Sequence, residues 1–522
     1  MRRLAVMIAV SLCPPLSAFA EDAETVLKRC LDVCGSGPNN AIVEIERFQA
    51  GWRVTSFDWH ITSGTMLKDA DVAAFRQIAS HCALRIRVAR PLDAESVRRL
   101  VTIPNLRQLT VPSAILGGSF ETLSSSRSLQ DLDLTDFGYK ETGDAGIAYI
   151  ANMHSLRRLN LSALGLSDRG MREIALLANL EELDVRANSR ITDEGVSQLG
   201  SLRKLRAVAI DSLGPRGLRA LREGGRLERL QVGTYEDAES SAFSAFSSLR
   251  HLGIDAIEGT PKTPLNMPSE LVELQVSQSD VAKLNLGSAR SVVRVCVDVD
   301  VDVRPGDLRW LSSLPALQEL TLRYGSEGGW RVVADLPSLR KLSLVGTCVP
   351  LALSDEGIRS LGRMPRVESL DIEVSQLTDA GLSAMCNFPN LRRLRLAQTP
   401  NLTSNGLTRI RDLKCLKALA IDVPADGLGE LPGRVLSPMI HMRGIEDLSF
   451  HGKLSDRDVK KLAAITSLKR LDLVDCYGYS ASALTYALNS LPQLQLLTAW
   501  VECQRGGEKT GERSERKRDR SD

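Results

Sequence analysis

The chain is poor in aromatic side chains: Phe, Trp and Tyr together make up only 4% of its 522 residues. Large aromatic anchors dominate many cores and interface hot spots, so the interior here has to be aliphatic. Net charge is scarce as well, because 66 Lys and Arg stand against 64 Asp and Glu, giving +2. Such a balance makes no electrostatic case for a nucleic-acid partner. Histidine is confined to His60, His81, His154, His251, His441 and His451, and no two of these have metal-ligand spacing. No P-loop, dinucleotide fingerprint or nucleophile elbow occurs. Beyond the first twenty residues no run is apolar for long enough to span a bilayer. The sequence therefore offers no catalytic, cofactor or metal residue, and no membrane span.

The ends carry their own signals. Arg2 and Arg3, the apolar run Leu4 to Leu12 and the small-residue site Ala18-Phe19-Ala20 read as an export signal removed after Ala20. Cys13 raises a lipoprotein reading, but Leu12 is large where such sites carry a small residue. Export permits disulfides, and Cys30, Cys34 and Cys82 cluster closely enough to be the candidates for one. The remaining cysteines are scattered, as small buried residues are. At the other end, "QRGGEKTGERSERKRDRSD" has nothing apolar to bury and is expected to be a disordered charged tail.

Between the ends the chain repeats. The phrase "L-x-x-L-x-L" recurs from Leu106 to Leu494 with a mean period of about 24 residues, and weaker copies start near Val54 and Leu84. Its two-residue alternation predicts a short strand with one buried face. In "SLRRLNL", Leu159 and Leu161 point inward while Arg158 and Asn160 point to solvent. A second phrase follows many copies: "LSDRGM" from Leu166, "ITDEGV" from Ile191, "LSDEGI" from Leu353 and "LTDAGL" from Leu377. Its Ser or Thr suits a helix N-cap, and its acidic neighbour suits the positive end of the helix. A glycine in the first turn costs up to about 1 kcal/mol against alanine. Its regular return implies that the backbone there packs too close to a neighbour for a side chain. "AIVEIERF" and "WRVTSFDW" predict a hairpin ahead of the array that covers its first sheet edge.

These phrases resemble the leucine-rich repeat family, in particular its cysteine-containing and ribonuclease-inhibitor-like subclasses, over nearly the whole mature chain. Cys476, Asn188, Thr347 and Thr399 occupy the slot where those subclasses often carry cysteine or asparagine. The resemblance implies an α/β, right-handed solenoid with a curved parallel sheet on its concave side and short helices on its convex side. The expected organisation is a signal peptide 1–20, an N-terminal cap 21–53, about 17 to 19 coils over 54–501, and a tail 502–522. Within the array the segment 227–336 is irregular. Its "EGTPKTPLNMPS" and "RPGD" argue against outer helices. The resemblance further implies an exported, bacterial, non-enzymatic scaffold that binds another protein or a surface ligand. Similar repeats occur in F-box substrate receptors of ubiquitin ligases, but those need a cytosolic chain with a helical F-box. A purely structural envelope protein is the third reading.

The register assigns the concave surface. Its first row runs through Asp131, Arg158, Glu182, Arg229, His251, Glu273, Arg294, Glu319 and Lys341. Opposite signs on adjacent coils, about 4.8 Å apart, let these residues pair within the protein. The second row is small and polar. Candidate partner-binding residues are Arg229, His251, Arg294, Arg323, Trp330, Tyr477 and Trp500, with Tyr235 and Tyr479 as further aromatics outside the strands. "DVDVDV", Asp298 to Val303, has the carboxylate spacing that opens a calcium loop, but it lacks the loop's glycine and closing glutamate and reads as a solvent-facing strand.

Overall fold

The computed structural model describes residues 40–48, 51–61, 72, 84–88, 94–103, 106–111, 120–135, 143–236, 242–299, 307–323, 331–345, 354–373, 376–398, 401–422, 439–442, 444–474 and 476–502. Over 40–48, 51–61, 84–85, 87–88 and 500–502, and at 331, 404 and 477, the description covers backbone only. The expected signal peptide, the expected tail beyond Glu502, Cys30, Cys34, Cys82, Trp330, Thr347 and Thr399 lie outside it.

Each "L-x-x-L-x-L" copy forms a short strand because its leucines drop alternately into one core. Leu156, Leu159, Leu161, Leu164 and Leu166 of one coil are at most 2% exposed. Each of these contributes roughly 1.5–3 kcal/mol when fully buried. Successive strands pair in parallel, from Leu106–Thr110 through Arg158–Asn160, Arg294–Asp298 and Arg393–Ala397 to Leu496–Glu502. The hairpin is present too: β1, Asn40–Phe48, pairs antiparallel with β2, Gly51–Ile61. Strand β2 then pairs in parallel with β3, Leu84–Val88, which leads into the array.

The far edge of β1 is not free. It pairs antiparallel with the last strand, in a register running from Asn40 opposite Glu502 to Glu46 opposite Leu496. The sheet therefore closes on itself. Among the described residues it holds 21 strands, one of which is the short Cys476–Tyr477 segment pendant on Asp447–Lys453. The other twenty form a ring in which every strand has a neighbour on both sides, and β1 alone runs against the rest. A repeat array has two raw edges that invite association. One hairpin satisfies both, because the curvature of the coils returns the last strand to the first.

Short helices line the outside, and the "S/T-D-x-G" phrase clips them together. Ser167, Thr192, Ser354, Thr378 and Thr403 each cap their own helix by accepting a backbone N–H. The aspartate of each phrase acts on the next coil. Asp144 accepts from the backbone N (2.9 Å) and the hydroxyl (2.5 Å) of Ser167. Asp168 does the same for Thr192, Asp355 for Thr378 and Asp379 for Thr403. That carboxylate explains the glycine. A Cβ on Gly170 would sit 2.6 Å from Asp144 Oδ1, and Gly195, Gly381 and Gly406 are approached more closely still by Asp168, Asp355 and Asp379.

The slot after the strand is a second inter-coil link. Asn188, 1% exposed, donates to the carbonyls of Leu161, Val185 and Arg186 and accepts from the Leu166 N–H. Cys476 fills the equivalent slot and donates its thiol to Phe450 O of the preceding coil at 2.7 Å.

The outer layer thins where prolines break the pattern. Among the described residues, no α-helix intervenes between Pro215–Gly224 and Arg331–Ala334. Short 3-10 turns and the paired segments Leu265–Asn266 and Leu284–Asn285 take its place.

Several expectations need correction. Tyr235 is not outside the strands: it ends the strand Arg229–Tyr235, is fully buried and packs on Phe243 with ring centroids 4.8 Å apart. Tyr477 also belongs to a short strand, and Tyr479 packs partly buried against the core. Cys386, in the 3-10 turn Ser383–Asn387, and Cys415, in the turn before the strand Ala418–Asp422, are exposed free thiols rather than core residues. The strand expected over "DVDVDV" ends at Asp298, and residues 300–303 lie outside the description.

Candidate functional site: the inner wall of the ring

The first row expected from the repeat is in register throughout. Gln108, Asp131, Arg158, Glu182, Ala207 and Arg229 are successive Cα partners, as are His251, Glu273, Arg294, Glu319, Lys341 and Ser369. The parallel pairing puts one side chain of each coil at the same height, so the row becomes a collar of polar groups. These residues line a cavity of about 1200 Å³ whose walls reach from Gln108 round to Arg393.

Much of the collar pairs with itself. Arg158 binds Asp131, and Arg470 binds Asp447. Lys341 lies 3.4 Å from Glu319. Arg229 reaches across the small Ala207 to Glu182, two coils away, at 3.4 Å. Glu273 holds His251 at 3.0 Å on one side and Arg294 at 2.9 Å on the other. Burial alone would push the Glu273 carboxyl up, but the hydrogen bonds from Arg294 and His251 outweigh it and hold the group below its ordinary value.

A second recess of about 510 Å³ lies toward the C-terminal ends of the middle strands, lined by Arg186, Ala209, Gln231, Asp255, Gln275, Asp298 and Arg323. Asp255 accepts from Gln231 at 2.9 Å and Gln275 at 3.3 Å. Partial burial, and then the neighbouring Asp298 charge, push its carboxyl up. Asp298 is pushed up by burial despite Arg323 at 3.7 Å. Cys296 sits between Gln275 and Thr321 in the same row of the sheet, and burial pushes its thiol up to about 11.

The structure thus places Arg229, His251, Arg294 and Arg323 on one continuous wall. Trp500 is in the last strand, where its backbone faces Ile42 of β1. Sequence reasoning missed a second ladder one residue before the first row. There Arg157 pairs with Glu181 at 2.5 Å and Arg340 with Glu368 at 2.5 Å. Glu446 is held by Lys417 at 2.9 Å and Lys469 at 2.7 Å, and hydrogen bonds from Lys469 and Lys417 pull its carboxyl down to about 2. The signal was available: the residue before the first row alternates in sign in the same way. Among the described residues no group of three His, Cys, Asp or Glu is placed to hold a metal ion, and no helix is long and apolar enough to cross a membrane.

A parallel sheet built from one registered coil per strand, with a polar inner wall and short outer helices, defines a repeat solenoid. The chain belongs to the leucine-rich repeat region family, whose profile matches residues 105–405. It is similar to an internalin of Listeria monocytogenes str. 4b F2365, at 19% identity over 67% of this chain and 93% of that one, with a TM-score of 0.32. A leucine-rich repeat protein of Leptospira interrogans matches at 17% identity over 83% of this chain and 100% of that one, TM-score 0.33. The structure of a TLR13–ssRNA13 complex matches at 16% identity over 77% of this chain and 57% of that one, TM-score 0.35. Comparison with curated proteins gives no match.

Proposed function

We propose that the protein is an exported, non-enzymatic scaffold of a bacterial envelope that recognises another protein or a surface ligand through the inner wall of its ring. The observation that carries the reading is the collar itself: a continuous surface of polar side chains at one height, drawn from coils more than 280 residues apart in sequence, from Gln108 to Arg393. A groove assembled from so many coils is a recognition surface, since its side chains vary while the leucines behind them do not. Its opposite charges are already neutralised in pairs, which favours a partner of mixed charge over a polyanion such as nucleic acid. The export signal ending at Ala20 supports placement outside the cytoplasm.

The test is crosslinking of residues 21–522 with native envelope and medium, with crosslink sites mapped by mass spectrometry. One recurrent partner crosslinked to wall residues such as Lys341 supports the reading. Crosslinks spread evenly over the outer helices, or only between copies of the chain, would favour a structural envelope protein instead. N-terminal sequencing of the exported chain should begin at Glu21.

A further inference from the structure

We propose that the second recess, toward the C-terminal ends of the middle strands, binds a free amino acid. Its ammonium lies among Asp255, Asp298 and two glutamine amides, and its carboxylate on Arg323. The inference rests on the reading of the inner wall as a recognition surface and gives that wall a small-molecule site.

The repeat register builds the recess. Arg186, Asp255, Asp298 and Arg323 each directly follow the last core residue of their strand, Val185, Ile254, Val297 and Leu322, all at most 2% exposed. The leucine register therefore fixes their height on the wall. One step earlier, Gly253 lies between Gln231 and Gln275 on the neighbouring strands. A Cβ on Gly253 would collide with the Gln231 amide, so the missing side chain is what lets that amide reach Asp255. The recess, about 510 Å³, has no large apolar side chain in its lining. Small-molecule sites occupy roughly 300–1,000 Å³, and this one suits a small polar ligand.

Unmet hydrogen bonds select the ligand. Gln231 and Gln275 both donate to the same oxygen, Asp255 Oδ1, at 2.9 and 3.3 Å. Among the described residues, Asp255 Oδ2 and the two amide oxygens accept no hydrogen bond. Asp298 Oδ1 is buried without a hydrogen-bond partner, since Arg323 stops 3.7 Å away. This side of the recess is therefore made of acceptors, two of them on charged groups. An ammonium brings three donors and no acceptor, whereas a hydroxyl brings an acceptor with every donor. Burial pushes both carboxyls up, Asp255 also through the Asp298 charge, so a cation between them relieves what the wall leaves uncompensated. Donors stand on the other side. Asp184 already engages Arg186 through Nε and Nη2, while the looser contact of Arg323 keeps its N–H groups for an anion. Asp298 and Arg323 are Cα partners on neighbouring strands, about 4.8 Å apart. Groups that meet both have to lie close together, as the ammonium and carboxylate of an amino acid do.

Isothermal titration calorimetry of the full chain with L-serine, ethanolamine, glycolate and glycerol separates the two charged ends. Serine carries both, ethanolamine only the ammonium, glycolate only the carboxylate, and glycerol neither. Serine is expected to bind, and each probe lacking a charged end to bind at least about ten-fold more weakly, the loss expected for one hydrogen bond to a charged group. Asp255→Asn and Arg323→Gln should each weaken serine by a similar factor, with circular dichroism unchanged. The asparagine still accepts from both glutamines, so the wall keeps its shape. Should a variant unfold, the probe series on the wild type decides alone. No binding of serine up to about 10 mM, equal affinity for glycerol, or undiminished binding in both folded variants would overturn the proposal. A protein crosslinked to the first-row collar with no serine bound would overturn this site and leave the recognition reading intact. Serine binding without a captured protein would support the site and not that reading.

Discussion

The glycine of the "S/T-D-x-G" phrase gives the sharpest test of the inter-coil clip, through a pair whose interaction reverses the sign of a mutation. Gly170 lies in the first turn of the helix Asp168–Ile174, where alanine is intrinsically better by up to about 1 kcal/mol. An added Cβ would meet Asp144 Oδ1 at 2.6 Å, while its next neighbours are 3.5 Å away. Gly170→Ala must therefore displace the carboxylate and break its two bonds to Ser167. Bonds to a charged acceptor contribute roughly 1.5 kcal/mol or more each. After the propensity gain, the single variant should be destabilised by about 2 kcal/mol. In an Asp144→Ala background the obstacle is gone, and the same Gly170→Ala change should stabilise by about 0.5–1 kcal/mol. Urea denaturation of the four proteins, followed by circular dichroism, closes the cycle, with an expected coupling of about 2–3 kcal/mol. Additivity to within about 0.5 kcal/mol would refute the claim that Asp144 is what the glycine accommodates.

The remaining predictions concern other links of the same wall. Asn188→Ala leaves buried backbone groups on two coils without a partner and should cost about 3 kcal/mol in chemical denaturation, whereas Asn188→Cys should recover part of it, as Cys476 does in its own coil. Ala187 holds φ at 58°, so Ala187→Gly should raise the thermal midpoint, by up to about 1 kcal/mol of relieved left-handed strain. Glu273 has a folded value held below its ordinary 4.5, so its contribution is present above that value and is lost as pH falls through the folded one. The gap in thermal midpoint between the wild type and Glu273→Gln should accordingly be widest near neutral pH and shrink in acid below 4.5.

What the sequence made legible was whatever the repeat states locally. The leucine register predicted every Cα partnership of the first row, because a parallel sheet with one coil per strand leaves no freedom of alignment. The thin outer layer followed from prolines. Tyr235 was misjudged because its strand runs three residues beyond the consensus "L-x-L", which turns an apparent loop aromatic into core. The aspartate's bond to the next coil was missed for a related reason. A cap within one helix is visible in one copy of the phrase, but a bond from Asp144 to Ser167 exists only once neighbouring coils are stacked. Ring closure is the furthest from local: it is the sum of small rotations over all the coils, and no single copy encodes it. The alternating "AIVEIERF" showed a strand, and only the assembled wall shows that both of its edges are used.

The account stands on that closure, and the distance between the two ends of the wall tests it most directly. Nitroxide labels at Glu44→Cys and Thr498→Cys, facing positions of β1 and the last strand, should show strong dipolar broadening of the continuous-wave electron paramagnetic resonance spectrum, as one short, narrow distance requires. A broad or long distribution, as an open horseshoe with separated ends would show, would contradict it.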